Sequence, residues 1–438
     1  MLDMRIPVSR LDDASWIITG YLLGYTVAIP LVAHLSDAYG HAHLFRGSLV
    51  LFGLASVLVA ASQNLPWLVA ARVVQAIGGG AIVPIGMALV TQALPGQRRS
   101  IAVGIVGAAA EMGVVFGPLY GGAITEALGW RWLFWLDVPQ AALILITLRA
   151  IHNRPSSQTR VDYLGGLLLA ATLTMLVIAL SRRDLFTASS ATPYLLAMAA
   201  ALLLLAFVWQ QRRVTQPLLT PAFFRSLPAV SALSAKLLMG AALIIAMVTV
   251  PLMANTVLGE SALEGGLRLM RLTGAMPVGA LAGGYLVYRI GTRIVAAAGL
   301  AIAAIGLYFI SGWGLDIADP QLTLHLALAG LGFGLVIAPL FVTAMDAGPD
   351  DYQATAASLV TVARMIGMAL GLAAMSAWGM DRFLVLTAGL PSALSPDYTA
   401  QLAHASITLF QDFFRVSMWL CLAAVVPVMG MRGGRDGN

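Results

Sequence analysis

Residues 111–122 read EMGVVFGPLYGG and set a carboxylate, four glycines and a proline inside a long apolar run. A carboxylate in apolar surroundings exchanges protons if an opposite charge can pair with it and then leave, because losing the partner raises its proton affinity by desolvation. The candidate partners are Arg364, Lys236 (the sole lysine) and Arg72. Counted from the start of its run near residue 100, Glu111 lies about 16 Å deep at about 1.5 Å per residue, close to the midplane of a bilayer. Arg364, counted from near residue 355, reaches a similar depth. Lys236 is about ten residues into its own run, and Arg72 enters from the opposite side and is shallower. A charge at such depth is costly and marks a functional position. The reading without chemistry is a structural glutamate held permanently by one partner.

A wheel at about 100° per residue sorts the segment into two faces. Gly113, Gly117 and Gly121 form one ridge, which predicts close helix packing. Pro118 removes a backbone hydrogen bond and predicts a kink near the far end. Glu111 shares the other face with Gly104, Gly107, Ala108, Pro118 and Gly122; with so little bulk, that face is expected to line a cavity.

The surroundings follow from composition. The 438 residues are 59% hydrophobic and only 10% charged, against about 25% charged in a soluble domain, and the mean hydropathy is +0.87. Apolar runs long enough for a bilayer core of about 30 Å recur throughout. The fold class is an all-α polytopic membrane protein. Thirteen spans are predicted, at 15–34, 45–62, 67–92, 100–124, 132–150, 162–180, 193–210, 228–254, 262–287, 293–313, 321–345, 355–378 and 407–430. Arginines number thirteen in one alternate set of loops and six in the other, which places the first set, and the C-terminus, in the cytoplasm. The single cysteine, Cys421, excludes an internal disulfide. No basic segment interleaved with aromatics indicates nucleic acid. No metal-ligand or nucleophile motif indicates an enzyme, and GLGFG at 330–334 lacks the preceding strand of a nucleotide loop.

Two segments, HLSDAYGHAH (34–43) and YLVYRIGTR (285–293), share L-x-x-x-x-G at the end of a span. This weak repeat suggests paired halves around a central site. The expected organisation is an N-terminal bundle at 1–150, a linker with two extra helices at 151–225, and a C-terminal bundle at 226–438.

SDAYG (36–40), RVVQAIGGG (72–80), GVVFGPLYGG (113–122), GWRWLFWLDVP (129–139) and LVTVARMIGMALG (359–371) together resemble the major facilitator superfamily, specifically its fourteen-helix drug:proton antiporter branch. The resemblance covers nearly the whole chain and extends to actinobacterial members linked with lipid export. It implies two bundles working by alternating access. It also implies that the Glu111 and Arg364 helices belong to opposite halves, which favours Arg364 over Lys236 as partner and gives Glu111, Arg364 and Arg72 proton-coupling roles. Gly113, Gly117, Pro118, Gly121 and Gly122 then form a gating motif between the halves. Asp37, with Gly40, becomes a cytoplasmic latch onto the helix beginning at 350–358; the alternative is a solvated loop aspartate. Ala38, His41 and His43 stand where the family carries arginines, and Tyr288 occupies the acidic position of the second repeat, so one latch is expected.

The expected activity is proton-driven export of small apolar or amphipathic compounds: drugs, dyes or lipids. The alternatives are symport or facilitation, or a non-transporting paralogue. No cofactor beyond the proton gradient is expected. The partners are the substrate, protons and membrane lipids, with a periplasmic or lipoprotein partner left open. Arg268 and Arg271, a turn apart, either snorkel or meet an anionic headgroup. Asp3, Arg5, Arg10, Asp12 and Asp13 leave too many charges before residue 15 for a span, so a helix preceding Met1 is expected to complete the fourteen.

Overall fold

The computed structural model describes residues 11–148, 162–181, 192–214, 217, 221–314, 317–348, 352–390 and 397–431, and the regular structure among them is helical throughout. In hydrocarbon each backbone N–H and C=O must be satisfied within its own segment, which leaves the helix as the form an apolar run adopts. The chain divides into two compact units, one of Met1–Ala93, Phe116–Arg225 and Met345–Val362, the other of Leu94–Val115, Ser226–Ala344 and Ala363–Asn438.

In the first unit α1 (Leu11–Tyr39) and α2 (His41–Ala60) pack on α3 (Leu65–Gly80), which continues as α4 (Ile82–Ala93). Asn64 caps α3 by accepting the Trp67 N–H at 2.9 Å. The helix α5 (Gln97–Leu128) belongs to the second unit as far as Val115 and to the first from Phe116, and after it α6 (Arg131–Thr147) packs on α2. The linker pair α7 (Tyr163–Ser181) and α8 (Thr192–Arg213) pack together, α7 also touches α1, and the short α9 (Pro221–Arg225) follows.

The second unit contains α10 (Leu227–Thr256), α11 (Ala262–Ile290), α12 (Thr292–Ile310), α13 (Gln321–Leu335) and α14 (Ile337–Ala347). It also holds most of α15 (Gln353–Thr387) and all of α16 (Tyr398–Val428). Here α11 and α12 pack on α13, and α10 and α12 on α16. The weak repeat has a structural counterpart. Gly40 (φ 97°) and Gly291 (φ 85°) each break one helix from the next within L-x-x-x-x-G, a backbone region that glycine adopts without steric cost. A second parallel, not read from the sequence, is that the spans expected at 67–92 and 321–345 are each interrupted three residues before a proline: α3 from α4 at Ala81 before Pro84, and α13 from α14 at Val336 before Pro339.

Every expected span falls on a helix or an interrupted pair. Among the described residues, nine stretches are long and apolar enough by length and composition to cross a bilayer. The Asp- and Arg-bearing start of the chain, residues 1–10, and the tail from 432 lie outside the described residues. The last two helices run beyond the expected limits of 378 and 407, tied there by Arg382 Nε donating to Asp412 Oδ2 at 2.9 Å. Cys421 is buried and unbonded.

Candidate functional site

Glu111 is 3% exposed on α5, and Arg364 of α15 donates to it through both terminal nitrogens: Nη1 to Oε1, and Nη2 to Oε2 at 3.3 Å. The fork of a guanidinium matches the two oxygens of a carboxylate, which gives such a pair orientation as well as charge. Close helix approach delivers the arginine: a Cβ on Gly240 of α10 would lie 2.5 Å from the Arg364 carbonyl oxygen, and one on Gly367 would collide with the Leu237 carbonyl.

Lys236, the rival partner, is 1% exposed on α10 and its Nζ makes no hydrogen bond among the described residues. It lies 5.5 Å from the centre of the Phe341 ring. The ammonium remains within electrostatic reach of both Glu111 and Arg364, so the second unit gathers one carboxylate and two cations in an apolar interior.

The glycine face requires a correction. The Gly113, Gly117 and Gly121 ridge was expected to pack, and the Glu111 face to line a cavity. The structure packs the Glu111 face instead at its Gly104 end, where a Cβ would lie 2.8 Å from the Ala280 carbonyl and 2.9 Å from Gly284 Cα; among the described residues a Cβ on Gly113, Gly117 or Gly121, or on Gly122 of the Glu111 face, meets nothing within 4 Å. Ala108 and Val115 on that face are buried, while Met112, Val114 and Phe116 are exposed. Four-residue glycine spacing permits a neighbour to approach and does not supply one. The buried charge and its partner draw the other face inward. The helix α5 continues through position 118.

Asp37, in the last turn of α1, is 3% exposed. Its Oδ1 accepts the Ala354 N–H at 3.0 Å, and its Oδ2 accepts the Thr355 N–H at 2.8 Å and the Thr355 hydroxyl at 2.5 Å. These are the second and third residues of α15, so Asp37 serves as an N-cap supplied from 317 residues away, satisfying orphan donors at the positive end of the helix. His41 Nε2 stands 3.8 Å from Asp37 Oδ1 and its Nδ1 3.1 Å from Ser36 Oγ. Gly40 lets the chain turn between Asp37 and His41. Tyr288, at the equivalent point of the second repeat, is exposed.

Arg72 has a different set of partners. Its Nη1 donates to Gln75 Oε1 at 2.6 Å, and its guanidinium lies 4.1 Å from the centre of the Tyr21 ring. Gln75 Nε2 passes the contact on to Ser56 Oγ at 2.7 Å and Asp137 Oδ2 at 3.4 Å. Neither Asp137 nor Gln75 was singled out from the sequence. The available signal was an aspartate six residues into the apolar α6, which had been read only as part of GWRWLFWLDVP. Elsewhere in the second unit, Arg268 pairs with Glu260 and Arg271 with Asp319 at 2.7 Å. The Thr323 hydroxyl, donating at 2.6 Å, and then Arg271 hold the Asp319 carboxyl below its usual range.

These features, helix pairs broken at matching glycines and charges gathered in an apolar interior, define a polytopic membrane transporter. The family profile of the Major Facilitator Superfamily matches residues 9–372, and the chain belongs to that family. It is 36% identical over 460 residues to a triacylglyceride transporter of Mycolicibacterium smegmatis, covering 98% of this chain and 81% of that protein. It is 35% identical over 465 residues to a triacylglyceride transporter of Mycobacterium tuberculosis, covering 100% and 90%. Among solved structures it resembles the proton:xylose symporter XylE, with a TM-score of 0.61, 13% identity and coverage of 97% and 87%. It also resembles the human organic anion transporter MFSD10, with a TM-score of 0.59, 16% identity and coverage of 93% and 83%.

Proposed function

We propose that this chain is a proton-coupled exporter of apolar or amphipathic compounds, with acylglycerol lipids as the leading substrate class, in the fourteen-helix antiporter branch of its family. The observation that carries the coupling is the Glu111–Arg364 pair: one carboxylate, buried in a membrane helix, held by a cation from a helix more than 250 residues away. Protonating Glu111 discharges the pair and frees Arg364, and separating the pair raises the proton affinity of Glu111. A cycle of protonation and release thereby becomes a cycle of making and breaking one contact between distant parts of the chain. The Asp37–Thr355 cap is a second such contact and stabilises the cytoplasm-closed arrangement. The organisation remains two bundles, 1–150 and 226–438, joined by the linker 151–225, in the plasma membrane with the C-terminus cytoplasmic. The lipid class is supported by the printed names of the relatives and by an interior with few charged groups.

The test is flux in proteoliposomes holding the purified full chain, with a fluorescent triacylglyceride analogue and an imposed pH gradient. Accumulation against its own gradient that collapses on adding a protonophore is the expected result. Equilibration indifferent to the pH gradient would make the protein a facilitator, and accumulation in the same direction as the protons would make it a symporter.

A further inference from the structure

A half-open cavity of about 1050 Å³ lies where α7 and α8 meet α9, at the upper end of the roughly 300–1,000 Å³ typical of small-molecule sites. One part of its wall is hydrocarbon: Leu169, Leu204, Phe207, Val208 and Phe224. The other carries two guanidiniums, Arg212 at the last turn of α8 and Arg225 at the end of α9. Neither arginine has a hydrogen bond or an acidic partner among the described residues. Asp162, next to α7, does not line the cavity; it is buried and accepts the Gly165 N–H at 2.8 Å and Gln211 Nε2 at 2.6 Å. The helix α8 is itself little covered by the protein: only 17% of its span is buried, the lowest share among the nine apolar spans of the described residues.

We infer that this cavity binds one anionic phospholipid, with the headgroup phosphate between Arg212 and Arg225 and an acyl chain along Leu204 and Phe207. The chemistry is selective on both sides. A free phosphate satisfies the guanidiniums and leaves the apolar wall wet, whereas a zwitterionic lipid fills the wall and carries no net charge for two unpaired cations. Basic pockets between membrane helices recognise anionic headgroups in this way. None of the lining residues belongs to the Glu111 site, so the occupant is assigned as a lipid bound to the linker.

The experiment is native mass spectrometry of the full chain in detergent with equal phosphatidylglycerol and phosphatidylcholine of identical acyl chains. Retention of one phosphatidylglycerol with a preference of about tenfold or more is expected, from two arginines each contributing to an anionic headgroup. The double substitution Arg212→Gln/Arg225→Gln should bring the two lipids to parity. Arg213→Gln should leave the preference unchanged, because that guanidinium stacks 4.0 Å over the Trp209 ring and does not line the cavity. Leu204→Trp, which narrows the cavity, should lower retention of both lipids, and millimolar inorganic phosphate should displace neither. Equal retention by the unmodified chain, an equal loss from Arg213→Gln, full retention in Leu204→Trp, or displacement by phosphate would each overturn the assignment. None of these readouts depends on transport, so the result stands apart from the coupling proposal.

Discussion

Arg364 embraces both carboxylate oxygens of Glu111, although the two residues lie 253 positions apart. Both side chains are largely withdrawn from solvent, at 16% and 4% exposed. Two ions in such a site each give up hydration, and their attraction returns it only while the geometry holds. The pair is therefore stable intact and costly half-broken, which is the property a switch between two discrete states requires.

The first prediction is a double-mutant cycle. Arg364→Met alone leaves a buried carboxylate without its forked partner and should lower stability by about 3–5 kcal/mol. Glu111→Gln with Arg364→Met removes both charges and should recover most of that loss, so the two effects are strongly non-additive. Thermal unfolding in detergent measures the stability, and proteoliposome flux measures coupling. Both singles and the double should bind substrate and fail to accumulate it. Additive destabilisation, or uphill transport by Glu111→Gln, would remove Glu111 from the coupling role.

The second prediction concerns the cap. Asp37→Ala strips the acceptors from the Ala354 and Thr355 N–H groups, and loss of an N-cap costs about 0.5–2 kcal/mol. Hydrogen exchange across the first turn of α15 should accelerate about tenfold, the factor that corresponds to about 1.4 kcal/mol. Thr355→Val removes only the 2.5 Å hydroxyl contact and should produce a smaller change. Unchanged exchange in Asp37→Ala would show that another group, or water, caps this helix.

Much of this architecture was visible before any coordinates. Apolar runs of bilayer length name their own helices, and Asp37 and Glu111 stood out because a carboxylate beside or inside such a run is rare. Other features were hidden for physical reasons. The breaks at Ala81 and Val336 each fall three residues before a proline, Pro84 and Pro339, whose missing N–H and ring disturb the turn before it; yet Pro30, Pro251 and Pro277 sit inside unbroken helices, so a proline alone does not tell a broken helix from an unbroken one. In the Arg72–Gln75–Asp137 network, Arg72 and Gln75 stand one helical turn apart on α3, but Asp137 comes from another helix 62 positions on, which no sequence spacing announces. The facing of α5 was misread because a wheel reports which residues share a side, not which side meets a neighbour.

That misreading yields the third prediction. Gly104→Ala and Gly284→Ala place a methyl against backbone, 2.8 Å from the Ala280 carbonyl and 2.7 Å from the Ser100 carbonyl respectively. Overpacking of this kind costs about 1–3 kcal/mol. Gly117→Ala and Gly121→Ala place a methyl in open space and should be neutral or stabilising by about 0.5–1 kcal/mol, since alanine loses less backbone entropy in a helix. Melting temperatures of the four variants decide the matter: equal losses at all four positions would mean that the 113–121 ridge packs after all.

The last prediction isolates Lys236. Its ammonium is fully enclosed and has no hydrogen-bond acceptor among the described residues. A buried donor left unmade costs about 1–3 kcal/mol, more when it is charged. The Phe341 ring 5.5 Å away returns only about 0.5–2 kcal/mol even where desolvated. Lys236→Met keeps the length and apolar character of the stem and removes the stranded group, so stability should rise, opposite in sign to Arg364→Met at a neighbouring position. The consequence for function runs the other way. Lys236 is the second cation within reach of Glu111, and its positive charge disfavours protonation of that carboxylate. Without it Glu111 should take up a proton more readily, and the pH dependence of flux should move to higher pH. A more stable protein with an unshifted flux profile would confine Lys236 to packing. A destabilised one would mean that the ammonium holds a partner in the folded membrane protein and that Arg364 shares its task.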